Sequence, residues 1–165
     1  MKTPFYEMPL VTSAGKFTAR YSELGLAEIK FPAARRKATG AVGLEIIPPG
    51  VRKWHRITKM ALKSILAGRS PKTFPPLDPA GTEFQKKVWH ALRKIMPGRT
   101  KSYGEIARAI GKPKAVRAVG GACGANPVPV LVPCHRVLAA NGKIGGFSGG
   151  LDWKRDMLAR EGIEI

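Results

Sequence analysis

A proline-rich stretch divides this chain into two parts with different local patterns. Residues 70–79 have the sequence Ser-Pro-Lys-Thr-Phe-Pro-Pro-Leu-Asp-Pro. Proline has no backbone N–H and disfavours helical geometry in the residue before it, so such a stretch neither continues a helix nor enters the middle of a sheet. The pattern is typical of an inter-domain linker. We therefore expect an N-terminal domain over residues 1–75 and a C-terminal domain over residues 79–165.

The composition is that of a folded protein from a reducing compartment. The chain has 165 residues, of which 44% are hydrophobic and 24% charged, enough for one domain or two small ones. No apolar run reaches membrane-spanning length, and the first residues do not form a signal peptide. The two cysteines are too few for a disulfide framework. We expect a cytoplasmic monomer with no membrane contact.

The net charge indicates a polyanionic partner. Lysine and arginine total 29 against 11 acidic residues, which gives a formal charge of +18. Contacts to phosphate dominate the non-specific affinity of proteins for nucleic acid, so a nucleic acid is the partner that this charge favours. A ribosomal-type protein, or charge that serves solubility alone, remains the alternative on composition.

The N-terminal part is predicted to be strands followed by a helix. Three short β-type runs are predicted strands: residues 17–21, 26–31 and 43–47. The first two join through residues 22–25, a plausible hairpin turn, and the basic residues 35–37 are expected in a solvated loop. Apolar residues then recur at helical spacing over residues 51–67 until Gly68.

The C-terminal part carries sharper helix signals. Thr82 with Gln85, and Ser102 with Glu105, are capping boxes that each predict a helix start. A third helix is predicted over residues 114–122, where the side chains are small, and a fourth over residues 151–160.

The second and third of these helices are spaced as a helix-turn-helix. The short helix ends at Gly111, and the slender helix after it carries Lys114 and Arg117. Small residues allow such a helix to approach DNA closely, although they equally allow tight packing inside a core. The charge of the chain favours the DNA interpretation.

The adjacent pair Cys134 and His135 is the candidate for nucleophilic chemistry. It follows the proline-spaced apolar run 128–132, which predicts a buried extended segment. A thiolate is a reactive nucleophile, and a neighbouring imidazole can generate it. A cysteine hydrolase, or a cysteine that only packs, is the alternative. Cys123 is interpreted as structural. The three scattered histidines give no metal-ligand spacing, so we predict no zinc.

The glycine-rich residues 145–150 precede the last predicted helix. A glycine-rich loop before a helix can cradle phosphate, but this one lacks the lysine and the spacing of a nucleotide-binding loop. We interpret it as the flexible edge of a ligand pocket. Glu161, just past the helix, is one of few acidic residues and is placed to orient a base.

Together these motifs resemble one known family. The residues that carry the resemblance are 102–104 (Ser-Tyr-Gly), 117–120 (Arg-Ala-Val-Gly), 126–127 (Asn-Pro), 133–137 (Pro-Cys-His-Arg-Val) and 148–151 (Ser-Gly-Gly-Leu). They are similar to those of the O6-alkylguanine-DNA alkyltransferases, also called methylated-DNA–protein-cysteine methyltransferases. The resemblance implies an α/β protein with a small RNase-H-like N-terminal α/β domain. The C-terminal domain would be mainly helical and winged-helix-like, and would bind DNA and carry the catalytic site.

The resemblance also implies a role for each motif residue. Cys134 would accept the alkyl group, and His135 would deprotonate it through a bound water. Glu161 would hold the imidazole in the right tautomer, and Asn126 would brace the active-site turn. The resemblance further implies that Tyr103 rotates the nucleotide and contacts the base. The pocket would be lined by Tyr103, Arg117, Pro129, Val137, Phe147 and Ser148. The DNA contacts would be Lys114, Arg117, Ala118 and Arg136.

The implied function is direct reversal of DNA damage. The chain would transfer the alkyl group of O6-alkylguanine, and of O4-alkylthymine, from duplex DNA to Cys134 once and without a cofactor. Arg117 would fill the place of the extruded base. The location implied is the cytoplasm with the nucleoid, or the nucleus in a eukaryote. A non-catalytic alkylated-DNA recognition protein is the alternative, but such proteins lack the cysteine. Phe147 stands where many relatives carry tyrosine, so a hydroxyl contact from that position is lost here.

Overall fold

The computed structural model describes residues 4–33 and 46–165. The elements in these ranges follow one another in this order: β1 (Tyr6–Thr12), β2 (Gly15–Tyr21), β3 (Leu26–Lys30), α1 (Pro49–Leu66), α2 (Glu83–Leu92), β4 (Lys101–Ser102), α3 (Tyr103–Ala109), α4 (Val116–Gly124), a short 3₁₀ turn (Cys134–Arg136), β5 (Val137–Leu138), a second 3₁₀ turn (Ala140–Gly142) and α5 (Leu151–Arg160). The α/β class is confirmed. None of the helices in these ranges is both long enough and apolar enough to cross a membrane.

An antiparallel sheet in the order β1-β2-β3 forms the N-terminal part. Phe17, Ala19 and Tyr21 alternate along β2 and are fully buried, as expected of a strand with one face on the core. The two predicted strands of this hairpin are confirmed. The sequence prediction missed β1, whose apolar alternation is interrupted by Pro9, a residue that is tolerated in an edge strand.

Part of the N-terminal prediction falls on residues outside the described ranges. The loop predicted at residues 35–37 lies there, as does most of the strand predicted at residues 43–47. Ile46 and Ile47 are described and belong to no strand. Helix α1 begins at Pro49, two residues before its predicted start, because proline is well suited to the first helical position.

The proline-rich segment is attached to the sheet. The backbone N–H of Leu26 donates to the carbonyl of Pro76 at 2.8 Å, and Asp78 N–H donates to the carbonyl of Leu26 at 2.8 Å. Gly25 permits this approach, since a Cβ there would lie 2.4 Å from the Pro76 oxygen. The segment has the proline content of a linker, but its end is hydrogen-bonded to β3.

Both capping boxes form as predicted. Thr82 accepts from the N–H of Gln85 at 3.2 Å, and the Gln85 side chain accepts from the N–H of Thr82 at 2.9 Å. Ser102 and Glu105 repeat the arrangement at the start of α3, with distances of 3.1 and 2.7 Å. These helices pack on α4, and α5 spans the predicted residues.

Candidate active site

A tight turn presents the cysteine. The carboxamide oxygen of Asn126 accepts from the N–H of Val128 at 3.0 Å, and its nitrogen donates to the carbonyl of Val132 at 2.9 Å. The N–H of Val132 donates to the carbonyl of Val128 at 3.0 Å. Val130 has φ of 74°, a left-handed conformation that is strained for a β-branched residue. The prediction of an extended segment over residues 128–132 is therefore wrong, because side-chain capping by Asn126 closes the chain into a turn.

Cys134 begins the 3₁₀ turn that follows and is 4% exposed. Asn126 Nδ2 lies 3.2 Å from its Sγ. Burial raises the pKa of the Cys134 thiol. The hydrogen bond from Asn126, the charge of Lys154 and the N–H groups of Cys134 and His135 oppose that shift without reversing it. The resting group at neutral pH is therefore a thiol, and its reaction requires a base.

A buried ionic group lies behind the cysteine. His135 Nε2 lies 3.1 Å from Glu161 Oε1, and the guanidinium of Arg136 reaches the same carboxylate at 2.7 to 3.1 Å. The N–H of Gly98 donates to Glu161 Oε2 at 3.2 Å. Burial alone would raise the pKa of Glu161, but the hydrogen bonds and charges of His135 and Arg136 lower it to about 2. Glu161 is thus an ionised acceptor.

The ionised carboxylate determines the histidine tautomer. Since Glu161 can only accept, His135 Nε2 carries the proton, and Nδ1 of the neutral ring presents a lone pair. Nδ1 is buried and makes no hydrogen bond to any described residue. Burial lowers the pKa of His135, although Glu161 opposes the shift. A neutral imidazole with a lone pair available is the form that a general base requires.

The resemblance implied that Arg136 contacts DNA, but the structure places its side chain in the interior. Its side chain is 6% exposed. Its guanidinium binds Glu161, and Nη1 donates to the carbonyl of Ile95 at 2.6 Å. The prediction is wrong because an ion pair with Glu161, which is distant in sequence, directs this arginine into the core.

Lys154 is a site residue that the sequence analysis missed. It is fully buried, and its ammonium donates to the carbonyls of Val137 at 2.7 Å and Gly146 at 3.0 Å. It thus joins the strand after the cysteine to the glycine-rich loop. Burial lowers the pKa of Lys154, and the two cysteines oppose that shift. Its burial could have been predicted from the helical register, because Lys154 lies on the same face of α5 as the buried residues Met157 and Leu158.

Cys134 faces a small cavity between α3, α4 and the glycine-rich loop. The cavity has a volume of about 110 Å³. Its lining residues are Tyr103, Gly120, Cys123, Gly124, Cys134, Gly146 and Phe147. Residues 145–150 form one edge of the cavity and are called the lip below. Cys123 therefore lies in the cavity wall, where burial followed by the charge of Cys134 raises its pKa to about 12.

The pairing of β4 with β5 brings Tyr103 to this cavity. Lys101 pairs with Val137 and Ser102 with Leu138, so the first residue of α3 lies beside the strand that follows the cysteine. Burial, and then the charge of Cys123, raise the pKa of Tyr103. Its hydroxyl therefore stays protonated at neutral pH and is able to donate a hydrogen bond.

The remaining predicted site residues differ in how exposed they are and in which cavity they line. Lys114, Arg117 and Ala118 are exposed at and before the start of α4. Val137 is buried, and its carbonyl is bound by Lys154. Pro129 and Ser148 line a neighbouring cleft of about 410 Å³ rather than the thiol cavity. Within the described ranges, no group of three or more histidine, cysteine or acidic residues is placed to hold a metal ion.

Comparison with known proteins identifies close sequence relatives. Residues 83–163 match the family model described as 6-O-methylguanine DNA methyltransferase, DNA binding domain. A methylated-DNA–protein-cysteine methyltransferase from Methanosarcina acetivorans is 49% identical over 110 residues, which cover 67% of this chain and 70% of that protein. The protein of the same name from Mycolicibacterium paratuberculosis is 52% identical over 100 residues, 61% of each chain.

Solved structures extend the similarity to nearly the whole chain. The O6-methylguanine methyltransferase of Mycobacterium tuberculosis has a TM-score of 0.73 at 34% identity, with 96% of this chain and 93% of that chain covered. The structure of the Mycobacterium tuberculosis protein in complex with DNA gives a TM-score of 0.72 at the same identity and covers 96% and 92% of the two chains.

The fold and the site define a class of proteins in which a buried cysteine, backed by a histidine and a carboxylate, faces a cavity beneath a helix-turn-helix. The sequence and structural matches extend from the sheet to the last helix. The chain belongs to the O6-methylguanine DNA methyltransferase family.

Proposed function

We propose that this protein repairs DNA by transferring the alkyl group of O6-alkylguanine, and of O4-alkylthymine, from duplex DNA to its own Cys134. The observation that carries the proposal is the buried Cys134 in the wall of a cavity beside α4, followed in the chain by a buried histidine, His135, that is hydrogen-bonded to Glu161. The names of the relatives, which include a DNA repair enzyme of Escherichia coli, support the same reaction.

Access to the substituent requires base extrusion. The O6 substituent of a stacked guanine cannot be approached in line by a buried thiol, so the nucleotide has to leave the helix. Arg117 is exposed on α4 and is proposed to fill the gap in the stack. Tyr103, at the cavity wall, is proposed to turn the nucleotide and to donate a hydrogen bond to the base. We propose that Lys114 and Ala118 contact the DNA backbone nearby.

The transfer step follows from the protonation states of the site. The Cys134 proton moves through one water to Nδ1 of His135, whose Nε2–H is held by Glu161. The thiolate attacks the alkyl carbon, so an S–C bond forms and the C–O bond breaks. The guanine anion that this leaves takes up a proton from water and becomes the ordinary base, and His135 returns the proton it received to water. The ammonium of Lys154 is held by the carbonyls of Val137 and Gly146, and its positive charge favours the negative charge on the Cys134 sulfur.

The reaction ends with an S-alkylcysteine. No base in this site can cleave a thioether, so each chain acts once and no cofactor takes part. The presence of Cys134 disfavours the alternative of a non-catalytic recognition protein. A cysteine hydrolase is disfavoured because the exposed cations Lys114 and Arg117, at and before the start of α4, have no role in hydrolysis.

The proposed partner is double-stranded DNA that contains the lesion, and the protein is proposed to act as a monomer. The net charge of +18 supports a DNA partner. Since the substrate is chromosomal DNA, we propose that the protein works in the cytoplasm at the nucleoid, or in the nucleus of a eukaryote. The division into domains over residues 1–75 and 79–165 also remains a proposal.

Intact-protein mass tests the proposed function. Incubation with duplex DNA containing O6-methylguanine is expected to add ~14 Da, the mass of one methylene, to the Cys134 peptide, because a thioether is not turned over. The gain should saturate at one group per chain, and unmodified duplex is the control. Tight binding to the lesion without a mass gain would instead identify a recognition protein.

The rate of transfer is expected to depend on pH through His135. Its neutral form accepts the proton, and burial places its pKa below the ordinary 6.5. Transfer should therefore be lost as the pH falls through that lowered value and stay constant above about pH 7. Single-turnover rates measured across the pH range check this profile.

The His135→Gln variant provides the comparison. Without the internal base, thiolate has to form by loss of the proton to solvent, and the pKa of Cys134 is raised. Its slow transfer should increase about tenfold per pH unit. A wild-type rate that keeps rising in the same way above neutrality would show that His135 is not the base.

A further inference from the structure

Phe31 connects the N-terminal sheet to the lip of the cavity. It follows β3 directly, and its ring lies 5.8 Å from that of Phe147, nearly perpendicular at 78°. The same ring lies 5.0 Å from Trp153 of α5 and 5.6 Å from the buried Phe17 of β2. Edge and tilted contacts of this kind are favourable between aromatic rings. Phe31 is therefore held by the sheet on one side and contacts the lip on the other.

The lip backbone approaches this ring closely. A Cβ added to Gly149 would lie 2.6 Å from Cε2 of Phe31 and 2.8 Å from Cε1 of Phe147. The glycine thus lets the loop lie directly against the phenylalanine. The other fixed point of the lip is the carbonyl of Gly146, which is bound by Lys154.

Spaces of unequal size lie on the two sides of the lip. The cavity that contains Cys134 has about 110 Å³. The cleft on the far side has about 410 Å³ and is lined in part by Phe31, Pro129 and Ser148. Asn126 lines that cleft and also lies 3.2 Å from Cys134 Sγ. The lip and Asn126 therefore separate the thiol from the larger space, and the lip position decides how much room a substituent finds.

We propose that Phe31 is a specificity-determining residue that limits the size of the O6 substituent this protein transfers. Its ring fills the space behind the lip, on the side away from the thiol, and so prevents the lip from moving away from Cys134 and enlarging the space beside it. A methyl group demands little room beyond that of the base, whereas a benzyl group needs the space that the lip closes off. This inference rests on the proposed alkyl transfer and assigns part of its substrate selection to the N-terminal sheet.

Two substrates in the same duplex test the inference. Single-turnover rate constants are measured for the full chain and its Phe31→Ala variant with O6-methylguanine and with O6-benzylguanine. The benzyl-to-methyl ratio of rates is expected to rise about tenfold in the variant, which is the scale on which a hydrophobic pocket discriminates by size. Phe31→Tyr, which retains the ring, should keep the ratio of the unmodified protein.

A matched control separates this effect from a general loss of stability. Phe5 is another aromatic residue beside the sheet; its ring centroid lies 3.8 Å from Cζ of Arg20, and it lines neither the thiol cavity nor the cleft behind the lip. Phe5→Ala should leave the ratio unchanged. If Phe31→Ala does not fold, Phe31→Leu shortens the contact without removing the packing and should raise the ratio in the same direction.

The outcomes distinguish the inference from the function on which it rests. An unchanged ratio, a reduced ratio or an equal fall in both rates would show that Phe31 only supports the fold. If Phe31→Tyr raised the ratio as much as Phe31→Ala does, that result would also overturn the role of the ring. An unmodified protein that transfers neither group would overturn the proposed function itself.

Discussion

Cys134→Ala is expected to abolish alkyl transfer and to leave the affinity for duplex DNA largely unchanged. The Sγ atom is the proposed nucleophile and lies on the cavity floor, whereas the exposed residues of α4 are untouched by the change. Loss of the Asn126 hydrogen bond should lower the free energy of unfolding by about 1 kcal/mol. Intact mass after incubation with alkylated duplex and fluorescence anisotropy with labelled duplex measure the two properties.

The second cysteine provides the outcome that would contradict this expectation. Cys123 lines the same cavity, and its raised pKa of about 12 makes it a poor nucleophile. Transfer retained by Cys134→Ala and mapped to the Cys123 peptide would place the acceptor on α4. A parallel loss of DNA affinity would show that the cysteine supports the DNA-binding surface.

Arg117→Ala is expected to slow transfer from duplex DNA containing O6-methylguanine by about tenfold to a hundredfold. Transfer from the free O6-methylguanine base should change little. The extruded nucleotide leaves a gap in the stack, and a side chain that fills the gap offsets part of a penalty of a few kcal/mol. A free base requires no extrusion. Single-turnover rates at saturating DNA compare the two substrates.

Arg155→Ala is the matched control for charge. Arg155 is exposed on α5 and also carries a positive charge, but it lies outside α4. Its loss should leave both rates close to those of the unmodified protein. Equal slowing of Arg117→Ala on duplex and free base would mean that Arg117 supports the site and does not enter the helix.

Local sequence signals predicted those elements that depend on neighbouring residues. The capping boxes at Thr82 and Ser102 require only a partner three positions away, and both form. The hairpin of β2 and β3 likewise follows from short-range alternation and a turn. By contrast, Pro9 interrupts the pattern of β1, and that strand is recognisable only once β2 is beside it.

The sequence predicted which residues form the site but not all of the contacts between them. The residues themselves indicate Cys134 and His135 as nucleophile and base and Glu161 as the acid that orients a base, and the resemblance adds their specific roles. The structure brings the histidine and the carboxylate together. The destination of Arg136 depends on Glu161, 25 positions later, and the burial of Lys154 depends on how α5 packs. The pairing of Arg136 leaves no local trace, because an arginine is the same residue type whether it ends up exposed or buried. For Lys154 the one local signal is its helical register with the buried Met157 and Leu158.

One contact within the C-terminal part bears on how damaged bases are selected. The indole of Trp89 donates to the carbonyl of Ala122 at 2.8 Å, and Val119 is completely buried, so α4 is anchored along its inner side. A helix held in this way resists displacement, so we expect the distortion on binding to be borne mainly by the double helix. Sites whose pairing is already weakened bend and open with less energy. Mechanical softness of the lesion, before any contact with the alkyl group, would then determine where the protein pauses on a chromosome.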